Sequence, residues 1–459
     1  MNIEEMNIKE RNIECSQALE SISEGVADYA SMAPAPITVK QTRVSAQLLK
    51  DLMLKHIYDT SVISVKGLAE RMSLTGSVVD ELSHLLRDEA LVELSSSLNG
   101  DGTLSFRLTE RGRFSARDAH DRSGYLGPAP VALEHYKEIS EHFSLANHSV
   151  TQEGLSALFE NFVVEELLLD QLGAAFNSRK AIFIYGSAGT GKTYTIGKMM
   201  ALFQDACLVP HALSIKDTIV SVFDPQIHVP KTLRNTGASL LYNRAHDARY
   251  VPCQRPIVIT GGELTADLLE VQFDPQSKTS QAPLQLKANN GIFFIDDIGR
   301  QSISPAVIFN RWIVPMEEGR DFLSLANGQH FEVPFDVQLV FSSNLNPLDL
   351  ADEAALRRIG FKIKFEHIKP GAYRKIWAQY MENKGIMFSE PLLDYVLNEL
   401  HFKEGVGLLP CHPRDLIHMA LTQATYKGEP GLVTKERLYW AWQNYFVRLE
   451  QSTNEVIIQ

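Results

Sequence analysis

Two adjacent aspartates, Asp296 and Asp297, follow directly on a run of apolar residues in the stretch GIFFIDDIGRQ, which spans 291–301. Like charges repel each other, and neither carboxylate is easily removed from water, so the pair needs a physical reason. A bound metal ion would provide one. An exposed strand end would also tolerate the two charges, and the rest of the chain must decide between these interpretations.

A second stretch, AIFIYGSAGTGKT at 181–193, joins an apolar strand to the motif G-x-x-x-x-G-K-T. Its glycines let backbone amides turn toward a phosphate, Lys192 can reach the terminal phosphates, and the hydroxyl of Thr193 can bind Mg²⁺. The helical pattern TYTIGKMMALF that follows argues against a chance match. The predicted nucleotide-binding residues are Gly186, Ser187, Ala188, Gly189, Thr190, Gly191, Lys192, Thr193 and Tyr194.

This loop accounts for the paired aspartates. A P-loop binds Mg-nucleotide, and a second acidic strand end about a hundred residues later holds that Mg²⁺. We therefore predict Mg²⁺ and ATP as cofactors, with Thr193 and Asp296 on the metal side. Asp297 would orient the attacking water, although a role limited to shaping the loop stays open.

Phosphoryl transfer needs more positive charge than Mg²⁺ and one lysine supply. The stretch DEAALRRIGFKI offers Arg357 and Arg358; adjacent arginines cannot face the same way, so one packs locally and the other is a candidate arginine finger. Arg414, in CHPRDLI, begins a C-terminal helix and suits an arginine that reaches back to the nucleotide. Asn344, or failing that Asn346, could hydrogen-bond the γ-phosphate or the water.

The order of these features resembles that of the AAA+ ATPases over roughly residues 150–450. Within them the chain looks most like the MoxR-like group: DDIGRQ, then MEEG at 316–319, then LSLANGQHFEVPFDVQLVFSSNLNP match its pattern. LRRI resembles that group's L-D-R-F, which favours Arg358 over Arg357 as the finger. Arg300 falls where the group also has an arginine, and HPRDL matches its lid motif at Arg414.

The resemblance implies an α/β P-loop NTPase core with a C-terminal helical lid. It also implies a homo-oligomeric ring, often a hexamer, in which the neighbour supplies the finger. Two departures stand out. Asp297 replaces the usual glutamate, which leaves slow turnover open. An insertion at about 212–254 lengthens the core. Four residues in or near it could be metal ligands, although their irregular spacing fits polar loop residues better: His211, His228, His246 and Cys253.

Patterns along the chain predict a flexible tail at 1–40 and a small α+β winged-helix-like domain at 41–120. Three amphipathic helical patterns and two short strands around Asn99-Gly100 and Asp101-Gly102 carry that second prediction. A proline-containing linker at 121–148, the ATPase domain at 149–368 and the lid at 369–459 complete the layout.

Composition describes an ordinary globular chain: 459 residues, 44% apolar, 22% charged, with a formal net charge of −12. That charge argues against a surface that binds nucleic acid throughout. The four cysteines form no C-x-x-C pair, no apolar run reaches the ~20 residues of a membrane span, and the N-terminus is unlike a signal peptide. We expect a cytoplasmic protein.

The predicted winged-helix domain lacks the positive charge that is typical of domains that bind a DNA groove. Residues 43–118 carry ten Lys/Arg against eleven Asp/Glu, a net charge of −1, and the presumed recognition helix is acidic. Arg107, Arg111, Arg113 and Arg117 could still touch phosphates if they share a face. The favoured function is a ring ATPase that remodels or chaperones a protein. The alternatives are a DNA-directed ATPase and an ATP-bound switch that barely hydrolyses; a monomeric P-loop kinase fits less well.

Overall fold

The computed structural model describes residues 29–95, 105–203, 205–231, 246–429 and 431–446. Three sequence predictions lie wholly or partly outside these ranges: most of the N-terminal tail, the turn at 99–102, and the middle of the insertion, 232–245. In the described part of the chain, no helix is both long and apolar enough to cross a membrane.

The short helix α1 (Tyr29–Met32) packs against a core formed by later strands of the chain. The N-terminal unit that follows combines four helices with a small antiparallel sheet of order β1-β3-β2. Its elements are α2 (Ala46–Thr60), β1 (Ile63–Ser64), α3 (Val65–Met72), α4 (Gly76–Asp88), β2 (Val92–Ser95), β3 (Ser105–Leu108) and α5 (Glu110–Arg122). The hydroxyls of Ser64 and Thr109 accept backbone N–H groups in the first turns of α3 and α5, which explains where these helices begin. Val78 and Leu82, one turn apart on α4, share a core with Phe106.

The end of the predicted flexible tail is folded. Ala33 and Val39 are buried, and the backbone N–H of Val39 donates to Glu81 of α4 over 2.7 Å. The tail prediction is therefore corrected for residues 29–40, because these residues supply apolar side chains to two separate cores.

The remaining strands are β4 (Val131–Ala132), β5 (Ala181–Tyr185), β6 (Ala206–Pro210), β7 (Ala212–Ile215), β8 (Thr218–Ser221), β9 (Tyr250–Gln254), β10 (Ile257–Thr260), β11 (Gln272–Asp274), β12 (Thr279–Gln281), β13 (Gly291–Ile295), β14 (Arg320–Ser324), β15 (His330–Pro334), β16 (Val337–Ser343) and β17 (Ile359–Lys364). The remaining helices are α6 (Leu133–His142), α7 (Gln152–Leu158), α8 (Glu166–Asn177), α9 (Lys192–Met199), α10 (Leu284–Lys287), α11 (Pro305–Glu318), α12 (Glu353–Arg358), α13 (Pro370–Asn383), α14 (Glu390–Asp394), α15 (Cys411–Tyr426) and α16 (Lys435–Tyr445).

A five-stranded parallel sheet of order β10-β13-β16-β5-β17 forms the centre of the molecule. Every residue of β13 and β16 is buried, as expected for parallel strands that helices cover on both faces. All five strands point the same way, so the P-loop after β5, the aspartates after β13 and the polar residues after β16 meet at one edge. The fold prediction of an α/β P-loop core is confirmed to this extent.

Helix α11 and a β-hairpin connect the acidic strand to the polar strand. The helix ends at Glu318, and Gly319 follows it in the left-handed conformation with φ 66°. The hairpin β14–β15 then leads into β16. This is the element order that the MEEG stretch predicts.

A second sheet, of order β11-β12-β8-β7-β4, lies outside the central one, and β6 pairs with β9. These additional strands disagree with two of the domain boundaries predicted from the sequence. Residues 121–148 are no extended linker, because β4 pairs with β7 and the ring of Tyr136 on α6 is buried. The strands outside the central sheet are not confined to 212–254, since β6 starts before this range and β11 and β12 follow β10 of the central sheet.

A buried ion pair just before β9 contacts both the N-terminal unit and the residue that precedes β4. Asp247 and Arg249 are fully buried, with 2.7 Å between Nη2 and Oδ2. The Arg249 guanidinium also donates to the backbone carbonyls of Thr42 and Pro130, over 3.2 and 3.0 Å. Because a buried guanidinium needs acceptors on every side, this contact fixes where the units meet.

The C-terminal helices α13–α16, with a π-helical segment at Tyr395–Phe402, form a separate all-helical unit. Its core holds Trp377 and Trp442, and the imidazole of His401 lies edge-on to the Trp442 ring, with centroids 4.7 Å apart. Burial lowers the pKa of His401 to about 4, so this histidine is neutral at physiological pH.

Candidate functional site: the P-loop edge of the central sheet

The P-loop turns on three glycines with positive φ: Gly186 at 146°, Gly189 at 82° and Gly191 at 89°. Side chains rarely adopt these conformations. There is also no room for a side chain at Gly186, because a Cβ there would lie 2.2 Å from the carbonyl oxygen of Phe365. A Cβ on Gly189 would lie 2.5 Å from Sγ of Cys411. The loop therefore brings bare backbone to the site, and α15 begins directly against it.

Lys192 is the first residue of α9 and points its ammonium group back over the loop. Nζ donates to the carbonyls of Gly186 and Ser187, over 2.8 and 3.0 Å, and to Oδ1 of Asn344 over 2.8 Å. Burial lowers the pKa of this amine, and the charges of Asp297 and Asp296 oppose that shift. The carboxylates thus help to keep a desolvated lysine protonated where phosphates would bind.

The metal-side pair joins the first turn of α9 to the end of β13. The hydroxyl of Thr193 donates to Oδ2 of Asp296 over 2.8 Å, and the backbone N–H of Asp297 donates to Oδ1 of Asp296 over 3.0 Å. These oxygens suit Mg²⁺, which binds through one or two carboxylates and keeps waters and phosphate oxygens as its other ligands. The residues present therefore fit Mg-ATP.

Asp297 and Asn344 form the second half of the site. The Asn344 amide donates from Nδ2 to Oδ1 of Asp297 over 2.9 Å, while its Oδ1 accepts from Lys192. One carboxamide therefore connects the P-loop lysine to the second aspartate. Asp297 has φ 50°, a left-handed conformation that is uncommon for a residue with a side chain. Asn346, the alternative to Asn344, instead accepts the N–H of Leu348 as a helix cap.

The other predicted loop residues have local roles. The hydroxyl of Thr190 donates to the Ser187 carbonyl over 2.9 Å, which closes the loop internally. Ala188 lies at the exposed tip, and the ring of Tyr194 is 5.4 Å from that of Phe162 at the surface. Thr190 therefore stabilises the loop, while Ala188 and Tyr194 offer exposed contacts beside it.

The predicted arginines are not all at this edge. Arg358 ends α12 and forms an ion pair with Glu317, with Nε 2.7 Å from Oε1. Arg357 is exposed and pairs with Glu353 one turn earlier. Both lie at the amino end of β17, because Ile359 pairs with Ala181 at the start of β5. The P-loop follows the opposite end of β5.

Arg414 is close to the site through its helix. It lies one turn after Cys411 of α15, which contacts the P-loop at Gly189. Its Nε donates to Oδ1 of Asp415 over 2.9 Å, and the side chain is 66% exposed. Arg300 lies beside the acidic pair, with 3.9 Å between its Nη1 and Oδ2 of Asp297.

Gln301 belongs to the site although the sequence analysis assigns it no role. Its Nε2 lies 3.1 and 3.3 Å from the carbonyls of Asp296 and Asp297, and its Oε1 accepts the N–H of Gly299 over 2.8 Å. The stretch DDIGRQ contains this glutamine but does not indicate these contacts, because they exist only once the turn is folded.

The histidines of the insertion do not assemble a metal site. His228 is buried, with Nε2 2.9 Å from the Lys287 carbonyl, and its Nδ1 accepts the N–H of Asp224. Cys253 is buried in a strand. Among the described residues, no group of three or more His, Cys, Asp or Glu is arranged to hold a metal ion.

Comparisons with known proteins add little to this geometry. Residues 369–444, within the C-terminal helical unit, match a family described as Domain of unknown function (DUF8689). No curated protein matches the chain. A mutant of Thermotoga maritima RuvB is similar at 10% identity over 63% of this chain and 72% of that one, with TM-score 0.38. NtrX of Brucella abortus in complex with ADP is similar at 14% identity over 63% and 56%, with TM-score 0.37.

Likenesses at such identities and TM-scores carry no functional argument. The geometry of the chain itself shows an α/β P-loop fold. In it, the phosphate-binding loop, the paired aspartates and Asn344 meet at the carboxyl edge of a five-stranded parallel sheet.

Proposed function

We propose that the protein is an AAA+ ATPase, most similar to the MoxR-like group. In this proposal it binds and hydrolyses Mg-ATP as a ring of identical subunits and thereby remodels or chaperones a protein partner. The hydrogen-bonded chain from Lys192 through Asn344 to Asp297 carries the proposal. It joins the lysine, which contacts phosphate, to the carboxylate, which contacts the attacking water.

Each residue has a separate task in the proposed reaction. Mg-ATP, when bound, supplies the phosphoryl group and the metal's positive charge. Lys192 and the P-loop amides hold the phosphates, and Thr193 with Asp296 holds the metal. Asp297 orients the water, and the Asn344 amide fixes the direction of that carboxylate. Arg414 would add positive charge from the helical lid.

The ring is supported by the position of Arg358. Four strand steps of about 3.3 Å separate the first and last residues of β5, so Arg358 starts about 13 Å from the P-loop end of its own sheet. Its guanidinium is held by Glu317 at that far end. An arginine held at that end does not face its own P-loop, which supports the proposal that it serves the site of a neighbouring subunit.

A protein partner is favoured by the N-terminal unit, in which helices α2 to α4 and the three-stranded sheet fit a winged-helix-like domain. Residues 36–39 contact α4, the presumed recognition helix: the hydroxyl of Thr75 donates to the carbonyl of Pro36, and Glu81 accepts from Val39. A groove-reading helix presents its first turns to bases. The exposed charged side chains in the first two turns of α4 are the carboxylates of Asp80 and Glu81, so DNA reading through α4 is disfavoured.

The test measures steady-state Mg-ATP hydrolysis against protein concentration. Lys192→Ala, Asp297→Asn and Arg358→Ala should each lower activity about 100-fold or more. Arg357→Ala is the matched control, because Arg357 precedes the proposed finger but pairs with Glu353 in the solvent. Specific activity should rise with concentration as subunits assemble.

Mixing variants separates the ring from a monomeric enzyme. Lys192→Ala protein still offers Arg358, and Arg358→Ala protein still offers a P-loop, so mixing them should restore activity that neither has alone. No restoration and no concentration dependence would refute the shared site. If the unaltered protein binds ATP but turns over no faster than Asp297→Asn, the ATP-bound switch replaces the motor. Strong stimulation by DNA of any sequence would instead support the DNA-directed alternative.

A further inference from the structure

Gln301 is the only described side chain that hydrogen-bonds both the acidic turn and the loop after β10. From Nε2 it donates to the carbonyls of Asp296 and Asp297, and over 3.2 Å to the carbonyl of Gly261. Its Oε1 accepts the N–H of Gly299. Three carbonyl oxygens therefore surround the NH2 group of Gln301, which has two N–H donors. The oxygen of the same carboxamide accepts a hydrogen bond, so both its nitrogen and its oxygen have partners.

The turn that Gln301 spans has an uncommon backbone conformation at one residue. Asp297 has φ 50°, which few residues with a side chain adopt, whereas the φ of 106° at Gly299 is open to glycine. Such conformations persist when surrounding contacts over-determine them. The backbone N–H of Ile298 donates to the Ser342 carbonyl over 2.7 Å, and that of Arg300 to the Asp297 carbonyl over 3.1 Å. Gln301 adds the only described side-chain contacts to the carbonyls of both aspartates.

We propose that Gln301 is a positioning residue for Asp297, and that it makes the position of this carboxylate depend on the loop 261–263. The proposal rests on the proposed hydrolysis, because it assigns Asp297 to the attacking water. Gln301 itself touches backbone only. It acts by holding the turn from which the Asp297 side chain reaches Asn344.

The loop 261–263 is placed to be moved by contacts outside the chain. Gly262 and Glu263 are exposed, and the backbone N–H of Gly261 is held by Oε1 of Glu263 over 2.8 Å. Its other described side-chain contact is the bond from Gln301 to the Gly261 carbonyl. A displacement of this exposed loop can therefore reach the acidic turn through the Gln301 amide, beside the strand bond from the N–H of Asp296 to the Thr260 carbonyl.

The catalytic test uses Gln301→Met, which keeps the side chain's length without its hydrogen bonds, and Gln301→Glu, which keeps an acceptor but loses the donors. Each should lower kcat about tenfold or more, with KM for Mg-ATP and the affinity for ADP changed less than about twofold. Ser302→Ala, an exposed neighbour, should leave kcat unchanged. Equal losses of kcat and nucleotide affinity would mark a merely structural residue and overturn the proposal.

A double-mutant cycle asks whether Gln301 acts through Asp297. Gln301→Met should lower kcat no further in an Asp297→Asn background, because the carboxylate it positions is gone. If the two losses multiply, Gln301 acts independently and the proposal fails.

Hydrogen exchange supplies a readout that does not need hydrolysis. In Gln301→Met, amides in peptides covering 261–264 and 296–301 should exchange faster, while Ser302→Ala should match the unaltered protein. Unchanged exchange in both peptides would overturn the positioning role. A protein that hydrolyses no ATP but shows this exchange pattern would refute the proposed function and leave the structural coupling intact.

Discussion

Asn344→Leu isolates the link between the P-loop lysine and the second aspartate. Leucine has nearly the shape of asparagine but can neither accept from Lys192 nor donate to Asp297. A hydrogen bond to a charged group contributes about 1.5–3 kcal/mol. If the Asp297 bond acts mainly in the transition state, its loss lowers kcat about 10- to 160-fold, at 1.36 kcal/mol per tenfold change in rate.

The assay compares kcat, KM and ADP affinity for Asn344→Leu with those for Asn346→Ala. Asn346 follows two residues later, but its side chain caps a short helix, so its loss should cost about 1 kcal/mol of stability and leave kcat unchanged. The reasoning is refuted if Asn344→Leu keeps its kcat. It is also refuted if ADP affinity falls as far as kcat, since the residue would then hold the P-loop and not the reacting carboxylate.

Three further substitutions or conditions test the fold around the site. Gly189→Val should abolish ADP binding in a fluorescence titration, because its φ is +82° and its Cβ would strike Sγ of Cys411; retained binding would contradict the tight contact. Arg249→Ala leaves Asp247 buried without its partner and should lower the free energy of unfolding by about 3–5 kcal/mol in denaturant melts, with a change below about 1 kcal/mol contradicting burial. The pKa of His401 is about 4 when folded and about 6.5 when unfolded, so the unfolded chain binds more protons between these values. The contribution of His401 to stability is therefore fully present above pH 6.5. The free energy of unfolding should fall by up to about 1.4 kcal/mol per pH unit below pH 6.5, and the accompanying fall in Tm should be smaller in His401→Gln.

The parts of the site that lie in one continuous stretch are predictable from sequence. G-x-x-x-x-G-K-T places Lys192 and Thr193 on a helix start whatever surrounds it, and an apolar strand that ends in two aspartates fits a magnesium site once such a loop precedes it. The sequence also predicts that Arg357 and Arg358 diverge, with one packing locally. In the structure both are paired, Arg357 with Glu353 and Arg358 with Glu317.

Features that depend on pairing between distant segments are not predictable in the same way. Strand β4 has only two residues, and it is a strand because it pairs with β7, about 80 residues later. Nothing within the sequence of 121–148 indicates that pairing, so the sequence alone is typical of a linker. The contacts of Gln301 span 40 residues to Gly261 and carry no periodicity. Burial of Asp247 with Arg249 likewise depends on carbonyls from two other segments.

Helix α11 runs from the acidic turn at the carboxyl edge of the central sheet to Arg358 at its opposite edge. It starts four residues after Gln301 and ends beside Arg358, which Glu317 holds. Its 14 residues span about 21 Å. Ile308, Phe309 and Trp312 bury one face of the helix in the core of the central sheet. We therefore propose that, in the ring, a shift of the acidic turn reaches Arg358 through this helix. The ion pair between Glu317 and Arg358 would then have to break before that arginine binds the phosphates of a neighbouring subunit.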